Sequence, residues 1–453
     1  MTTKFDAVII GAGLTGLTIG YYLKNAGKNV LILEQSSRSG GVIQSHNEDG
    51  FIYESGPNSG VLSSYESFKL FDDLKEKCEL EVANDASNAR WILKDNKIEP
   101  LPSGIIPGIK TPLFTFADKL NILIEPFKPK GNNPDESVAD LVRRRLGSSF
   151  LNYAVDPFIS GIYAGNPEKL ITKYALPKLY NLEQNYGSFI KGAIKKSFEK
   201  KSEEDKKVNK RIFSFKNGLV SLISALDSEL NSNIRLNSKD IKINDSNHHI
   251  VNYRINDEQF EAEADFIIST VGSYSLENIL PNEIKKIGEA IFKLNYAKVV
   301  QVIAGYKNWT GQPLNAFGLL IPALEKRNTL GILFTSSIFK NRAPENGVLL
   351  SVFMGGAKKP EFFDKPDEEI KSIALNEISE ILKPKNFSPE LLKIFKYPYA
   401  IPQYEISSKE RFEQIDQIQD KYKGLILAGN IRNGIGMSDR ITQGVNIAKD
   451  IVK

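Results

Sequence analysis

Apolar and polar positions alternate in blocks from the start of the chain. Residues 7–10 (AVII) form a short β-branched run, the pattern of a strand buried on both faces. Leu14–Asn25 has helical spacing and Gly27 ends it; residues 29–33 form a second apolar run that stops at Glu34. Residues 42–45 and Phe51–Glu54 read as strand fragments about a turn at 47–50, before a break at Gly56-Pro57. Helical periodicity is predicted over 65–80 through Phe68, Phe71, Leu74 and Cys78. Residues 89–93 and 97–101 predict a hairpin across Asp95-Asn96.

The middle of the chain changes character. Residues 104–127 are apolar but cut by Pro107, Pro112 and Pro126, which predicts short helices and turns. Residues 137–147 (SVADLVRRRLG) read as a helix capped by Ser137 with Asp140 and closed by Gly147. Arg143, Arg144 and Arg145 are most simply a solvated face, with a phosphate or lipid contact as the other reading. Residues 191–210 hold eight lysines and four acids and read as an exposed, mobile segment. A strand at 211–215 and a helix opened by Asn217-Gly218 and running to Leu230 follow. Alternating strands occupy 234–268, with His248 and His249 at a polar turn where neither a ligand nor a catalytic role is expected. Runs at 299–306, 316–322, 329–335 and 348–354 predict a second sheet, and Asp367–Leu382 a helix. Residues 424–428 (GLILA) return to a buried strand; Gly429-Asn430 turns it, a glycine-rich loop follows at 433–437, and Ser438 or Asp439 can cap a final helix.

Composition narrows the class. At about 150 residues per domain, 453 residues suggest two or three domains. A hydrophobic share of 41% supports a large core and excludes disorder as the default. A net charge of +4 gives no basis for a nucleic-acid partner. The single cysteine, Cys78, excludes an intrachain disulfide and fits a reducing compartment; with three histidines it also argues against a metal centre. No signal peptide is apparent and no run reaches about 18 uncharged apolar residues. A cytoplasmic protein is expected, with peripheral contact at the inner face of a membrane left open.

The chemistry lies at the two ends. Gly11, Gly13 and Gly16 have G-x-G-x-x-G spacing between a strand and a helix, and Glu34 closes the next strand. That order is the dinucleotide fingerprint: Gly11 allows the turn, Gly13 lets a pyrophosphate approach the backbone, Gly16 lets the helix pack closely, and Glu34 accepts from ribose hydroxyls. Free N–H groups at the helix start favour phosphate. The second glycine loop and helix at the C-terminus fit FAD, a long cofactor held at both ends. A helix start aimed at the flavin N1/C2 edge would favour the reduced form.

Several segments carry a resemblance. The fingerprint with Glu34, Arg38 and Gly40-Gly41 resembles the FAD superfamily of amine oxidases and carotene desaturases. SVADLVRRRLG, PFISGIYAGNPEKL (157–170), FSFKNGLVSL (213–222), RNTLGILFTSSIFKNRAPE (327–345), IPQYEI (401–406) and GLILAGNIRNGIGMSD (424–439) resemble the oxygen-dependent protoporphyrinogen oxidases of haem synthesis. The resemblance implies an α/β fold: a Rossmann-like FAD-binding domain from 1–88, 211–292 and 401–453, a mixed-sheet α+β substrate domain at 293–400, and a mostly helical substrate- and membrane-associated insertion at 89–210. It implies flavin-centred oxidation of protoporphyrinogen IX, with molecular oxygen as acceptor, peroxide formed and no protein nucleophile. Coproporphyrinogen III is the near alternative; an amine oxidase, a desaturase and a non-enzymatic FAD scaffold are more distant ones. The implied FAD contacts are Gly11, Ala12, Gly13, Leu14, Thr15, Gly16, Glu34, Gln35, Arg38, Gly40, Gly41, Gly56, Pro57, Asn58, Ser59, Ile435, Gly436 and Met437, with a backbone contact at Asp240 or Ile241. The implied substrate contacts are Arg90 on a propionate, Asn58, Gly161, and apolar walls from Phe317, Leu320, Leu333 and Phe353. A surface hairpin arginine and ordinary core residues are the plain readings of Arg90 and of those four. Peripheral membrane contact and a homodimer are further implications of the resemblance.

Overall fold

The computed structural model describes residues 3–200, 202–208 and 210–453. Two seven-stranded sheets organise them. In the first, Thr3–Ile10 lies between Val30–Leu33 and Glu258–Ser269, parallel to both. Leu425–Leu427 is parallel to the end of Glu258–Ser269, and Ile234–Arg235 extends the sheet beyond Val30–Leu33. Ile250–Ile255 and Lys239–Ile243 complete it as antiparallel strands. The continuous apolar runs are explained by burial on both faces: Ala7, Val8, Ile9 and Ile32 are wholly buried, with Leu14–Asn25, Val220–Leu230 and the final helix Met437–Val452 on one side.

The second sheet runs Leu391–Pro402, Tyr296–Tyr306, Val348–Gly355, Thr329–Phe334, Gly318–Leu320, Trp91–Lys94 and Lys97–Pro100. One face is packed with Val300, Val302, Ile332, Phe334, Leu350 and Val352 against Ile370, Ala374 and Ile378 of Asp367–Leu382. The hairpin turns through Asp95 and Asn96, both at positive φ, as its two-residue loop requires.

Several expectations are corrected. The helix predicted over 65–80 is Tyr65–Asp73, because Leu80–Val82 is drawn into pairing with Ile212–Phe215. The strand expected at 42–45 begins at Ser45; Val42 is exposed, and Gly56 presses on its carbonyl. The run at 316–322 is a strand only over Gly318–Leu320. The lysine-rich segment is largely exposed, as expected, but carries two helices, Phe189–Phe198 and Glu203–Lys207.

The largest correction concerns the arginine triplet on Val138–Arg145. Only Arg143 is a solvated residue, paired with Glu168. Arg144 bridges Glu136 and Glu183, and Arg145 is fully buried between Glu125 and Glu183. Burial of a guanidinium is tolerated here because each charge is paired and hydrogen-bonded. Among the described residues no helix is long and apolar enough to cross a membrane, and no cluster of acids, histidines and cysteine could hold a metal.

Candidate active site

The site is built at the carboxyl edge of the first sheet, where Thr3–Ile10, Val30–Leu33, Glu258–Ser269 and Leu425–Leu427 all end. Gly11 turns at φ +102° and donates its N–H to the Leu33 carbonyl at 2.8 Å. Thr270 closes this turn from the other side: its hydroxyl donates to the Ile10 and Gly11 carbonyls at 3.1 Å each. A Cβ on Gly16 would lie 2.0 Å from the Gly11 carbonyl oxygen, so only glycine lets the helix approach the strand this closely. A Cβ on Gly13 would meet nothing within 4 Å. This glycine faces open space, the cradle a phosphate needs.

Glu34 is buried beneath that turn. Its two carboxylate oxygens accept from the Ala12 and Ser36 N–H groups at 2.8 Å each. Each oxygen keeps a lone pair for a hydroxyl donor. Ala12 and Leu14 are core residues, and Gln35 is exposed at the turn. Arg38 donates to the carbonyls of Ser39, Gly41 and Ile43, and so shapes the 38–43 loop. Gly40 donates to the Ala12 carbonyl, Gly41 faces Gly13, and the buried Ser39 hydroxyl has no partner among the described residues. The 237–238 backbone donates to the Ser36 and Glu34 carbonyls, which sets Asp240 and Ile241 beyond this end of the site. The Asp240 side chain itself pairs with Arg254.

The final helix meets the first one side by side and in the same direction. Thr15 donates to the Arg440 carbonyl, and one turn later a Cβ on Gly444 would press within 2.8 Å of Thr18. Both helix starts therefore open at the same edge. Gly436 is the N-cap of the final helix and donates to the Asp439 carboxylate at 3.0 Å, while Ser438 donates to the Val61 carbonyl. Tyr404 of the IPQYEI segment braces the glycine loop, hydrogen-bonding the Gly434 N–H at 3.1 Å.

The second sheet presents its other face to this region. Cross-strand pairs place Leu320 opposite Gly331, Gly331 opposite Phe353, Phe353 opposite Gln301, and Leu333 opposite Ser351. Leu320, Leu333 and Phe353 are half-buried, although most other positions of their strands are packed. Gly161 of Asp156–Tyr163 closes on Leu320; a Cβ there would lie 2.7 Å from its Cδ2. Arg90 sits over the Phe317 ring, 5.6 Å from its centroid, and has no carboxylate within ion-pair distance among the described residues. Asn58 joins the two parts: its Oδ1 accepts from Ser351 Oγ at 2.9 Å and its Nδ2 donates to the Gly56 carbonyl at 3.2 Å. The fully buried Gln301 adds a second link, donating to the Glu54 carbonyl at 3.1 Å and accepting from the Tyr397 hydroxyl at 3.2 Å.

Burial sets the electrostatics. The Glu54 carboxyl is pushed up to about 7 by burial, against the hydrogen bonds of Ser45 and the Leu219 N–H. Burial also raises the Tyr397 phenol and, with the nearby Arg38 charge, lowers the His46 imidazole. His248 and His249 are tied to the Lys423 and Ala264 carbonyls, in keeping with a structural turn.

Residues 14–452 match the family model described as flavin containing amine oxidoreductase. The chain belongs to that family. It is an FAD-dependent oxidoreductase. The mitochondrial protoporphyrinogen oxidase of Nicotiana tabacum is 29% identical over 480 residues, covering 98% of this chain and 94% of that one. The coproporphyrinogen III oxidase of Bacillus subtilis is 26% identical over 467 residues, covering 99% of this chain and 98% of that one. A solved structure from Exiguobacterium sp. 255-15 superposes with a TM-score of 0.80 at 22% identity, over 100% of this chain and 99% of that one, which shows the shared fold.

The residues present fit FAD. The open Gly13 cradle, the unpartnered Ser39 hydroxyl and two co-directed helix starts are what a dinucleotide phosphate requires. Gly11–Gly16, Glu34 and the 38–41 loop would hold the nucleotide half; the 56–59 and 435–437 loops would hold the flavin half. When bound, the flavin supplies a two-electron acceptor, and the chain's part is to position a substrate and keep water out. Sequence reasoning missed Thr270, Gln301, Ser351 and Tyr397. Thr270 had a signal, since it directly follows a buried parallel strand, as Gly11 does. Gln301 and Ser351 are polar positions inside apolar strands, and Tyr397 lies in a strand of mixed character.

Proposed function

We propose that the enzyme oxidises protoporphyrinogen IX to protoporphyrin IX. Three hydrides and three protons leave the macrocycle over three flavin cycles, and three molecules of oxygen return as hydrogen peroxide. The single observation that carries this reading is the half-buried apolar face of Leu320, Leu333 and Phe353, with Gly161 against it and the unpaired Arg90 at its side. A flat tetrapyrrole needs such a slot, and one guanidinium suits a propionate. Coproporphyrinogen III is the second reading, supported by the name of the Bacillus relative. It carries four propionates to the two of protoporphyrinogen, and a single arginine, Arg90, unpaired among the described residues at the wall, favours the less acidic substrate.

Peripheral membrane contact belongs to the same proposal. The helix Phe116–Ile124 has no buried residue, and Phe116, Leu123 and Phe127 are 76%, 69% and 83% exposed beside Ile106 and Ile109. Clusters of this kind favour a lipid surface. A homodimer is expected from the resemblance.

The test is porphyrin fluorescence on the FAD-loaded enzyme, with each porphyrinogen in turn. Faster appearance of protoporphyrin than in air alone supports the proposal; preference for coproporphyrinogen moves it to the second reading. Failure with both ends it.

A further inference from the structure

Two buried guanidiniums hold the C-terminal glycine loop, and neither is paired with a carboxylate among the described residues. Arg440 stands in the first turn of the final helix and is 8% exposed. Its Nη2 donates to the Arg432 and Asn433 carbonyls at 2.9 and 2.8 Å, and its Nη1 to the Gly429 carbonyl and Gln443 Oε1. Arg411 is fully buried. Its Nε donates to the Ile431 carbonyl and its Nη2 to Ser408 Oγ, both at 3.1 Å, and it lies against the rings of Tyr404 and Phe412.

The contrast with the other buried arginines is instructive. Arg145 has Glu125 and Glu183, and Arg342 has Glu81. Arg411 and Arg440 have only neutral acceptors among the described residues. Asp439, next to Arg440 in sequence, turns its carboxylate to the Gly436 N–H instead. Arg440 Nε and Arg411 Nη1 have no hydrogen-bond partner among the described residues. Burial makes both cations costly, and the carbonyl dipoles, with the more distant charges of Asp439 and Glu405, only partly offset it. An anion brought near them would complete the compensation.

We infer that Arg440 and Arg411 tune the flavin, their charge favouring the reduced cofactor over the oxidised one. A hydride brings two electrons and one proton, so accepting it adds one negative charge to the ring. A fixed positive field in a water-poor site stabilises that charge with no reorganisation. The N-terminus of the same helix adds to this field. The pyrophosphate is the competing anion, but its charge is the same in both redox states. Arginines serving it would change FAD affinity and leave the potential alone. The inference holds for any substrate of the enzyme.

The experiment measures the midpoint potential of the FAD-loaded enzyme by anaerobic equilibration with a reference dye, for wild type, Arg440→Gln, Arg440→Lys and Arg411→Gln. Arg440→Gln is expected to weaken the preference for reduced over oxidised flavin at least tenfold, which for a two-electron couple is a fall of about 30 mV. Arg440→Lys keeps the charge and loses the fork, and is expected to stay near wild type. An unchanged potential in Arg440→Gln, or an equal fall in the Gln and Lys variants, overturns the inference. If Arg440→Gln purifies without flavin, Arg411→Gln carries the test with the same expected fall. Loss of flavin from all three variants also overturns it, leaving a purely structural clamp.

Discussion

Glu54 offers a quantitative test of how burial supports the site. It is 2% exposed at the end of Phe51–Glu54, directly before the 56–59 loop. Its Oε1 accepts from the Leu219 N–H at 2.9 Å, and Ser45 Oγ donates to its Oε2 at 2.6 Å while accepting from the Val220 N–H at 3.0 Å. The carboxyl thus anchors the start of Val220–Leu230. Its pKa rises from an ordinary 4.5 to about 7, chiefly through burial, with the Arg342 charge among the opposing effects. An unfolded chain releases this proton near pH 4.5 and the native chain near pH 7. Between those values the native state binds one proton more, so stability falls as pH rises and is level above the window. A gap of roughly 2.5 units at 1.36 kcal/mol each gives about 3 kcal/mol. Glu54→Gln mimics the protonated group and removes this dependence. At roughly 2.1 cal/mol/K per residue, the difference is worth about 3 °C in Tm for a chain of this length. The assay is thermal unfolding of both FAD-loaded proteins from pH 4.5 to 8.5. The curves are expected to meet at the acid end, with Glu54→Gln higher by about 3 °C at pH 8. Parallel curves, or a wild type that is the more stable at pH 8, would refute the reasoning.

Four further outcomes are expected. Gly16→Ala, whose Cβ falls 2.0 Å from the Gly11 carbonyl oxygen, forces the helix off the strand; the protein should purify with little bound FAD, read as the ratio of visible to ultraviolet absorbance. Arg145→Leu leaves Glu125 without a counter-charge in the interior and Glu183 with Arg144 alone, and should lower unfolding free energy by about 3–5 kcal/mol in chemical denaturation. Arg90→Ala should raise KM for the porphyrinogen about tenfold or more while kcat stays within a few-fold, as for one lost charge-assisted bond; unchanged kinetics would remove the anchor. Replacing Phe116, Leu123 and Phe127 together by serine should abolish co-flotation with lipid vesicles and leave FAD content intact; persistent flotation would discount the patch.

The N-terminal region was legible because its signals are local. The span Leu14–Asn25, the turn at Gly11 and the acid at Glu34 all follow from a few consecutive residues. Asp367–Leu382 was legible for the same reason: its periodicity matches a single face packed on one sheet. What was not legible depends on distant partners. Arg145 reads as solvated until Glu125 and Glu183 are brought to it. Residues past Asp73 keep a helical pattern, but pairing of Leu80 with Phe215 outweighs it. Arg440 falls on the inward face of the final helix beside Met437, Ile441 and Gly444, and a charge on an apolar face was the available signal. Gln301 and Ser351 lie in strands whose apolar neighbours mask them, and their role appears only through Glu54 and Asn58.

The close parallel contact of the first and last helices has a consequence for biogenesis. Half of the cofactor cradle is synthesised within the first 41 residues, yet the surface that completes it begins at Met437. At about 5–20 residues per second, a translating ribosome leaves the glycine turn without its partner for roughly 20 to 80 s. During that interval Leu17, Thr18 and the rest of the helix face destined for Gly444 are uncovered. A cradle closed by both helices therefore has to wait for the synthesis of Met437–Val452.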